Sequence, residues 1–347
     1  MGFLRRRGDK QREVTITPDA LTSARLRLRT AVQRHGEEHP ESVRAMQQVG
    51  HLMSKDPRQQ KDAAELLHRV ARLTYRNLGP DHPDTLTAMY EAGDMQCAVG
   101  NLELAEELLR DALAGQERIL GSEHQDTLST AQALGVVLTE LGRPAEAQAL
   151  HEDVSDRRAR SLGARDKSTL ISRDNTANAL RSAGRFEEAA VLYRDLLADA
   201  EGTFGADSEE AAIARNNLAA TMFQLGHAAE AAELFRAVLA SVTGTPDQTD
   251  FATNVRNNLA TVLFGLEEYA EAGRLLRDNV AECERMFGRG HPNTVRSIAN
   301  LARVVAVEGT RTEAARLTRE CLAHYESRLP PNHPRIAELQ AFLDELS

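Results

Sequence analysis

A chain of 347 residues that is 41% hydrophobic, only 4% aromatic and without Trp must build its core from Ala, Leu and Val, which suits helix packed on helix. Its 52 acidic residues exceed the 42 basic ones, and outside the first dozen residues the sequence shows no concentration of positive charge, which argues against duplex nucleic acid as a partner. Cys97, Cys283 and Cys321 form an odd set without CxxC spacing, so neither a disulfide framework nor a structural zinc site is expected, and the compartment is a reducing one, the cytoplasm.

The N-terminus, Met1-Gly2-Phe3-Leu4-Arg5-Arg6-Arg7, runs into Gly8-Asp9-Lys10 instead of an apolar signal core, and Arg6 stands where a myristoylation signal needs Ser or Thr. Residues 1–16 read as a disordered basic tail. No stretch approaches the length of apolar sequence that a membrane span requires. Thr17-Pro18-Asp19-Ala20 then opens a helix that stops at Gly36.

From there the chain repeats. His39, His82, His124, His291 and His333 fall in one register, with Asp166, Ser208 and Thr249 filling the gaps, and the span from His39 to His333 is seven periods of 42 residues. Two further columns keep the same phase: Ala63, Ala105, Ala147, Ala189, Ala231, Ala272 and Ala314, and Leu66, Leu108, Leu150, Leu192, Leu234, Leu275 and Leu317. Within each period Pro after His suits the first position of a helix A, which runs to a Gly such as Gly100, Gly142, Gly184, Gly226 or Gly309. A helix B follows and ends at Gly79, Gly121, Gly163, Gly205 or Gly288. Ala20 lies in the Ala column, so the first helix is a helix B without its partner, and residues 334–346 are a lone helix A. The expectation is an all-α, right-handed α-solenoid of about seven 42-residue hairpins with half-repeat caps, continuous from 17 to 347. Repeat five ends in Thr243-Gly244-Thr245-Pro246-Asp247 instead of a closing Gly, which predicts a local bend.

The order Asn-Leu-Ala, then Gly-Arg-Phe-x-Glu-Ala, then Leu-Gly-x-x-His-Pro resembles tetratricopeptide repeats, and the period with its Asp-His-Pro linker resembles the kinesin-light-chain subtype. Asn217-Leu218-Ala219 with Gly226, Ala231 and Leu234, and Asn258-Leu259-Ala260 with Tyr269, Ala272 and Leu275, carry the likeness, which covers about residues 37–335. The resemblance implies peptide or protein binding on a concave face lined by helix A, in proteins that serve as adaptors, sensors and scaffolds.

Residues ten and fourteen after the His column, as in Leu218 and Met222, Leu259 and Leu263, or Leu301 and Val305, share a packing face. Positions five, nine and twelve lie opposite and supply the candidate peptide-binding residues: Asn175, Asn178, Asn217, Asn254, Asn258, Arg296, Asn300 and Arg303. An amide offers donor and acceptor together, so Asn residues one repeat apart suit the backbone of an extended peptide, while the same Asn could instead bond within its own repeat or to a neighbouring helix. Glu91, Asp94 and Glu140 make the other end of the proposed groove acidic. Arg173, Arg215 and Arg256 sit nearer the packing face and are expected to form ion pairs or snorkel.

Successive His residues are about 10 Å apart if their helices pack side by side, too far to share a metal, so they are expected to be turn residues. His35 and His39 are separated by Gly36, and no GxSxG, GxxxxGK[ST] or GxGxxG is present. The expectation is a non-catalytic scaffold or adaptor with no cofactor and no metal, whose partner is a protein or extended peptide segment. A ligand-responsive regulator sensing a small peptide remains open, as does an enzyme with a site inside the superhelix, for example Asp174 with a nearby Arg.

Overall fold

The computed structural model describes residues 18–242, 249–328 and 333–346. The basic tail and the Thr243–Asp247 linker of the sequence reading lie outside the described residues. The described residues hold sixteen α-helices and no strand, in two compact units, Met1–Arg185 and Phe186–Ser347.

The first unit contains α1 (Pro18–His35), α2 (Pro40–Met53), a single 3-10 turn (Pro57–Gln59), α3 (Gln60–Leu78), α4 (Pro83–Ala98), α5 (Leu102–Leu120), α6 (Gln125–Glu140), α7 (Pro144–Leu162) and α8 (Lys167–Ser182). The second contains α9 (Phe186–Phe204), α10 (Glu209–Gln224), α11 (Ala228–Val242), α12 (Thr249–Gly265), α13 (Tyr269–Phe287), α14 (Pro292–Val307), α15 (Arg311–Glu326) and α16 (Pro334–Leu346). Within each unit every helix packs on the next in the chain. Even-numbered helices are helix A of the sequence pattern and odd-numbered ones helix B; α4 also touches α6, α6 touches α8, and α12 touches both α10 and α14. This is the all-α array of helical hairpins that the period requires.

The columns locate the core. All seven Ala residues from Ala63 to Ala314 are completely buried, whereas Leu66, Leu150, Leu192, Leu234 and Leu275 are only half-buried. The deeper side chains stand one residue later: Leu67, Leu109, His151, Tyr193, Phe235, Leu276 and Thr318, none more than 3% exposed. In the first unit three of these knobs press on glycines of the preceding helix, and a Cβ on Gly50, Gly93 or Gly135 would stand 2.8, 2.7 or 2.4 Å from Leu67, Leu109 or His151. The corresponding positions in α10, α12 and α14 are Ala219, Ala260 and Ala302, all at most 1% exposed.

The His column caps helices. Nδ1 of His39, His82, His124, His291 and His333 accepts the backbone N–H of Glu41, Asp84, Asp126, Asn293 and Arg335 at 3.1–3.3 Å. Asp166 and Ser208 fill the same role with a carboxylate at 2.8 Å and a hydroxyl at 3.2 Å. Three residues further on, the hydroxyls of Ser42, Thr127 and Thr294 donate to the carbonyls of Gly36, Gly121 and Gly288 at 2.7–2.9 Å. Each such pair ties the end of one helix B to the start of the next helix A. Gly288 has φ 83°, a left-handed conformation that ends α13 and that a side chain would strain.

Candidate functional site

In the second unit the outward faces of α10, α12 and α14 carry most of the residues singled out by the sequence. Leu218, Met222, Leu259, Leu263, Leu301 and Val305 are buried beneath them, and Asn217, Asn254, Asn258, Arg296 and Asn300 are half-buried on the other side. Arg303 is exposed, and among the described residues it has no carboxylate within 4 Å and no hydrogen-bond partner. The Asn258 amide likewise has no partner among the described residues.

The other amides are partly engaged. Asn254 Nδ2 donates to the Asp250 carbonyl at 3.0 Å, and its Oδ1 accepts from Arg296 Nη2. Asn300 Nδ2 donates to Asn257 Oδ1 at 3.3 Å, and Asn217 Oδ1 accepts from Asn216 at 3.2 Å. In the first unit, Asn178 of α8 donates to the carbonyl and carboxylate of Asp174 at 3.0 and 2.8 Å and accepts from Arg181 at 2.9 Å. Nδ2 of the neighbouring Asn175 is buried without a partner.

Arg296 is the most constrained cation on this face. Its Nε is buried with no acceptor, its Nη2 has the neutral Asn254 oxygen, and no carboxylate lies within 4 Å among the described residues. Burial lowers its pKa, and the adjacent Arg335 guanidinium lowers it further. Arg335 donates to the Tyr325 hydroxyl at 3.3 Å and lies over the same ring, 5.7 Å from its centroid. Asp250 acts in the opposite direction but forms no ion pair with Arg296, so a buried guanidinium Nε without an acceptor, within electrostatic reach of a second guanidinium, is a place where an anion would be stabilised.

Beneath this face runs a polar network that the sequence pattern does not reveal. Ser297 Oγ accepts from Asn257 Nδ2 at 2.8 Å and from Asn279 Nδ2 at 3.1 Å, and donates to the Asn293 carbonyl at 2.9 Å. Both amides also donate to the Thr253 carbonyl, at 3.3 and 3.0 Å. Asn279 is fully buried in α13, where the matching residues of neighbouring helices B are Val238 and Cys321, and its Oδ1 has no partner. One signal was available: an Asn in an otherwise apolar column.

Of the arginine ladder, Arg215 is 9% exposed and donates to Glu201 and to the Ala206 carbonyl, an ion pair between helices of the kind expected. At the acidic end, Glu91 is held by His51 at 3.1 Å and Gln47 at 2.7 Å. Among the described residues no group of three or more His, Cys, Asp or Glu side chains is arranged to hold a metal, and no helix is long and apolar enough to cross a membrane.

Stacked helical hairpins with a polar helix-A face define a repeat protein of the α-solenoid class. Tetratricopeptide repeat models match residues 58–118, 90–160, 127–201 and 169–243, and a second such model matches 253–293. The chain belongs to the tetratricopeptide repeat family, and its repeats are of the kinesin-light-chain-like kind. A putative kinesin light chain from Podosopora anserina with nearly identical TPR-like repeats is 28% identical with TM-score 0.54, over 60% of this chain and 99% of that one. BtubC (BKLC) from P. vanneervenii is 20% identical with TM-score 0.52, covering 68% of this chain and 93% of that one. The apo form of the quorum sensor NprR from B. thuringiensis is 15% identical with TM-score 0.57, over 94% and 97% of the two chains, a likeness of fold alone. No curated protein matches the sequence.

Proposed function

We propose that this is a non-catalytic cytoplasmic scaffold or adaptor that holds an extended peptide segment on helix-A faces. On α10, α12 and α14 of the second unit the peptide meets Asn217, Asn254, Asn258, Arg296, Asn300 and Arg303, while Asn175 and Asn178 offer amides of the same kind on α8 of the first unit. The observation that carries this reading is Arg296, a half-buried guanidinium with an unpartnered Nε beside a second guanidinium, next to an unengaged Asn258 and an exposed Arg303. The ligand has an acidic group received by Arg296 and Arg303 and a main chain held by the amides. Free thiols at Cys97, Cys283 and Cys321 suit a reducing compartment.

A library of extended peptides with and without acidic groups, screened against the purified protein, tests the reading. Acidic peptides are retained, and Arg303→Glu weakens them at least about tenfold, in keeping with about 1.5–3 kcal/mol for a charge-assisted hydrogen bond. Equal affinity for the wild type and the Arg303→Glu, Asn258→Ala double variant would place the binding site elsewhere. A ligand-responsive regulator is the second reading, since NprR is a quorum sensor and the array of a Pyrococcus horikoshii ATPase that shares the fold is a sensor. X-ray scattering with a retained peptide separates the two, because only the regulator changes its dimensions.

A further inference from the structure

The sequence confines obvious positive charge to the first dozen residues; folding extends it. In α1, Arg25, Arg27, Arg29 and Arg34 are all exposed, against a single acid, Asp19. Among the described residues none of the four has a carboxylate within 4 Å, and only Arg25 has a polar partner, the neutral side chain of Gln59 at 2.9 Å. Elsewhere arginines of the helices B are commonly paired, as Arg69 is with Glu37, Arg110 with Glu106 and Arg157 with Asp153. Residues 1–35 carry nine basic and three acidic side chains, net +6; with −10 for the whole chain, the remainder carries −16. A charge asymmetry of this size points to an anionic partner for the minority sign.

The shape of the face narrows that partner. Ala24 is buried, and Leu21, Leu28 and Val32 pack inward with it. At 100° per residue, the direction opposite these is occupied by Leu26, with Thr22, Thr30 and Gln33 beside it and Arg29 and Arg34 on its two flanks. Leu26 is 64% exposed, and in the next three helices B the matching residues are Arg69, Asp111 and Asp153. An exposed Leu on a polar helix face flanked on both sides by guanidiniums suits a headgroup layer, where the Leu enters the boundary with the acyl chains and the flanking Arg29 and Arg34 meet phosphate. A polynucleotide would use the arginines and leave Leu26 without a role.

We propose that the outward face of α1 docks on the anionic headgroups of a phospholipid surface. The contact is peripheral and reversible, and it weakens with salt because the charges are exposed. It is separate from the peptide face on α10, α12 and α14, and failure of either leaves the other standing.

Co-sedimentation of the full chain with phosphatidylcholine vesicles, and with vesicles in which a third of the lipid is phosphatidylglycerol, tests the docking. The expected result is partition onto the anionic vesicles only, lost at high salt. Arg29→Glu with Arg34→Glu lowers it by more than about tenfold, since each basic side chain near such a surface contributes separately. Leu26→Ser lowers it several-fold at unchanged charge. Circular dichroism confirms that these exposed substitutions leave the fold intact. Equal partition onto neutral vesicles would overturn the proposal, as would no effect of the α1 variants when Arg5→Glu, Arg6→Glu and Arg7→Glu together abolish binding. Release by single-stranded DNA from the wild type and the Leu26→Ser variant alike, at the same DNA concentration, would assign the face to polynucleotides instead.

Discussion

Ala231 is completely buried in α11, and the Ala column it belongs to is completely buried in every repeat. A Cβ is all that the close approach of helices A and B accommodates there, so Ala231→Leu forces them apart and costs about 1–3 kcal/mol. Ser161→Ala removes only hydroxyl bonds to the Arg157 and Arg158 carbonyls of its own helix, and thermal melts should separate the two variants clearly. Glu267 illustrates the opposite sign. It adopts φ 64° between α12 and α13, the position held by Gly226 and Gly309 in the adjacent repeats, and is the one non-glycine residue with positive φ among the described residues. A side chain in the left-handed region costs roughly 1–2 kcal/mol, and Gly repays part of this in unfolded-chain entropy. Glu267→Gly should therefore stabilise by about 0.5–1 kcal/mol in urea titrations, and a loss of stability would show that the Glu267 side chain contributes a contact worth more than the strain.

The helix pair α6–α7 contains the one knob that can take up a proton. His151 is 2% exposed against Gly135, its Nδ1 has no partner, and burial pushes its pKa down to about 4. No charged group contributes to that shift. The folded value lies below the ordinary value of about 6.5, so the unfolded chain binds the extra proton first. Stability is full above about pH 6.5 and falls as the pH drops from there towards about 4, by roughly 3 kcal/mol in all. His151→Leu recreates the Gly50–Leu67 and Gly93–Leu109 pairings and should flatten this part of the pH profile. An unchanged acid slope would mean that the destabilising proton goes elsewhere.

What the sequence made legible at this level follows from repetition. Residues that meet the same neighbour in each hairpin recur in phase, and the helix boundaries, the Ala column and the packing face of helix A could be read from that recurrence. The knob column escaped notice because Leu, Leu, His, Tyr, Phe, Leu and Thr share burial but no chemistry. The His residues read as turn residues, whereas the structure gives them a specific task, Nδ1 accepting the first-turn N–H. The candidate face was legible as a set of positions. Which of its side chains stay unengaged was not, because Arg296 meets Asn254 and Asn300 meets Asn257 across 42 and 43 residues, pairings peculiar to one repeat junction.

Within each unit, each helix packs on the next in the chain, with lesser contacts between some successive helices A. Such an array stores stability in nearest-neighbour interfaces, so a lesion is felt where it is made and fades with distance along the stack. Ala231→Leu gives a test confined to the second unit. Its side chain disturbs α11, which packs on α10 and α12, while α14, α15 and α16 hold one another through separate contacts. Amide hydrogen exchange in the variant should speed up in α10, α11 and α12 and remain near wild type in α14 and α15. Uniform acceleration through α16 would show that the unit opens as a single cooperative body, and the nearest-neighbour account of its stability would then be wrong.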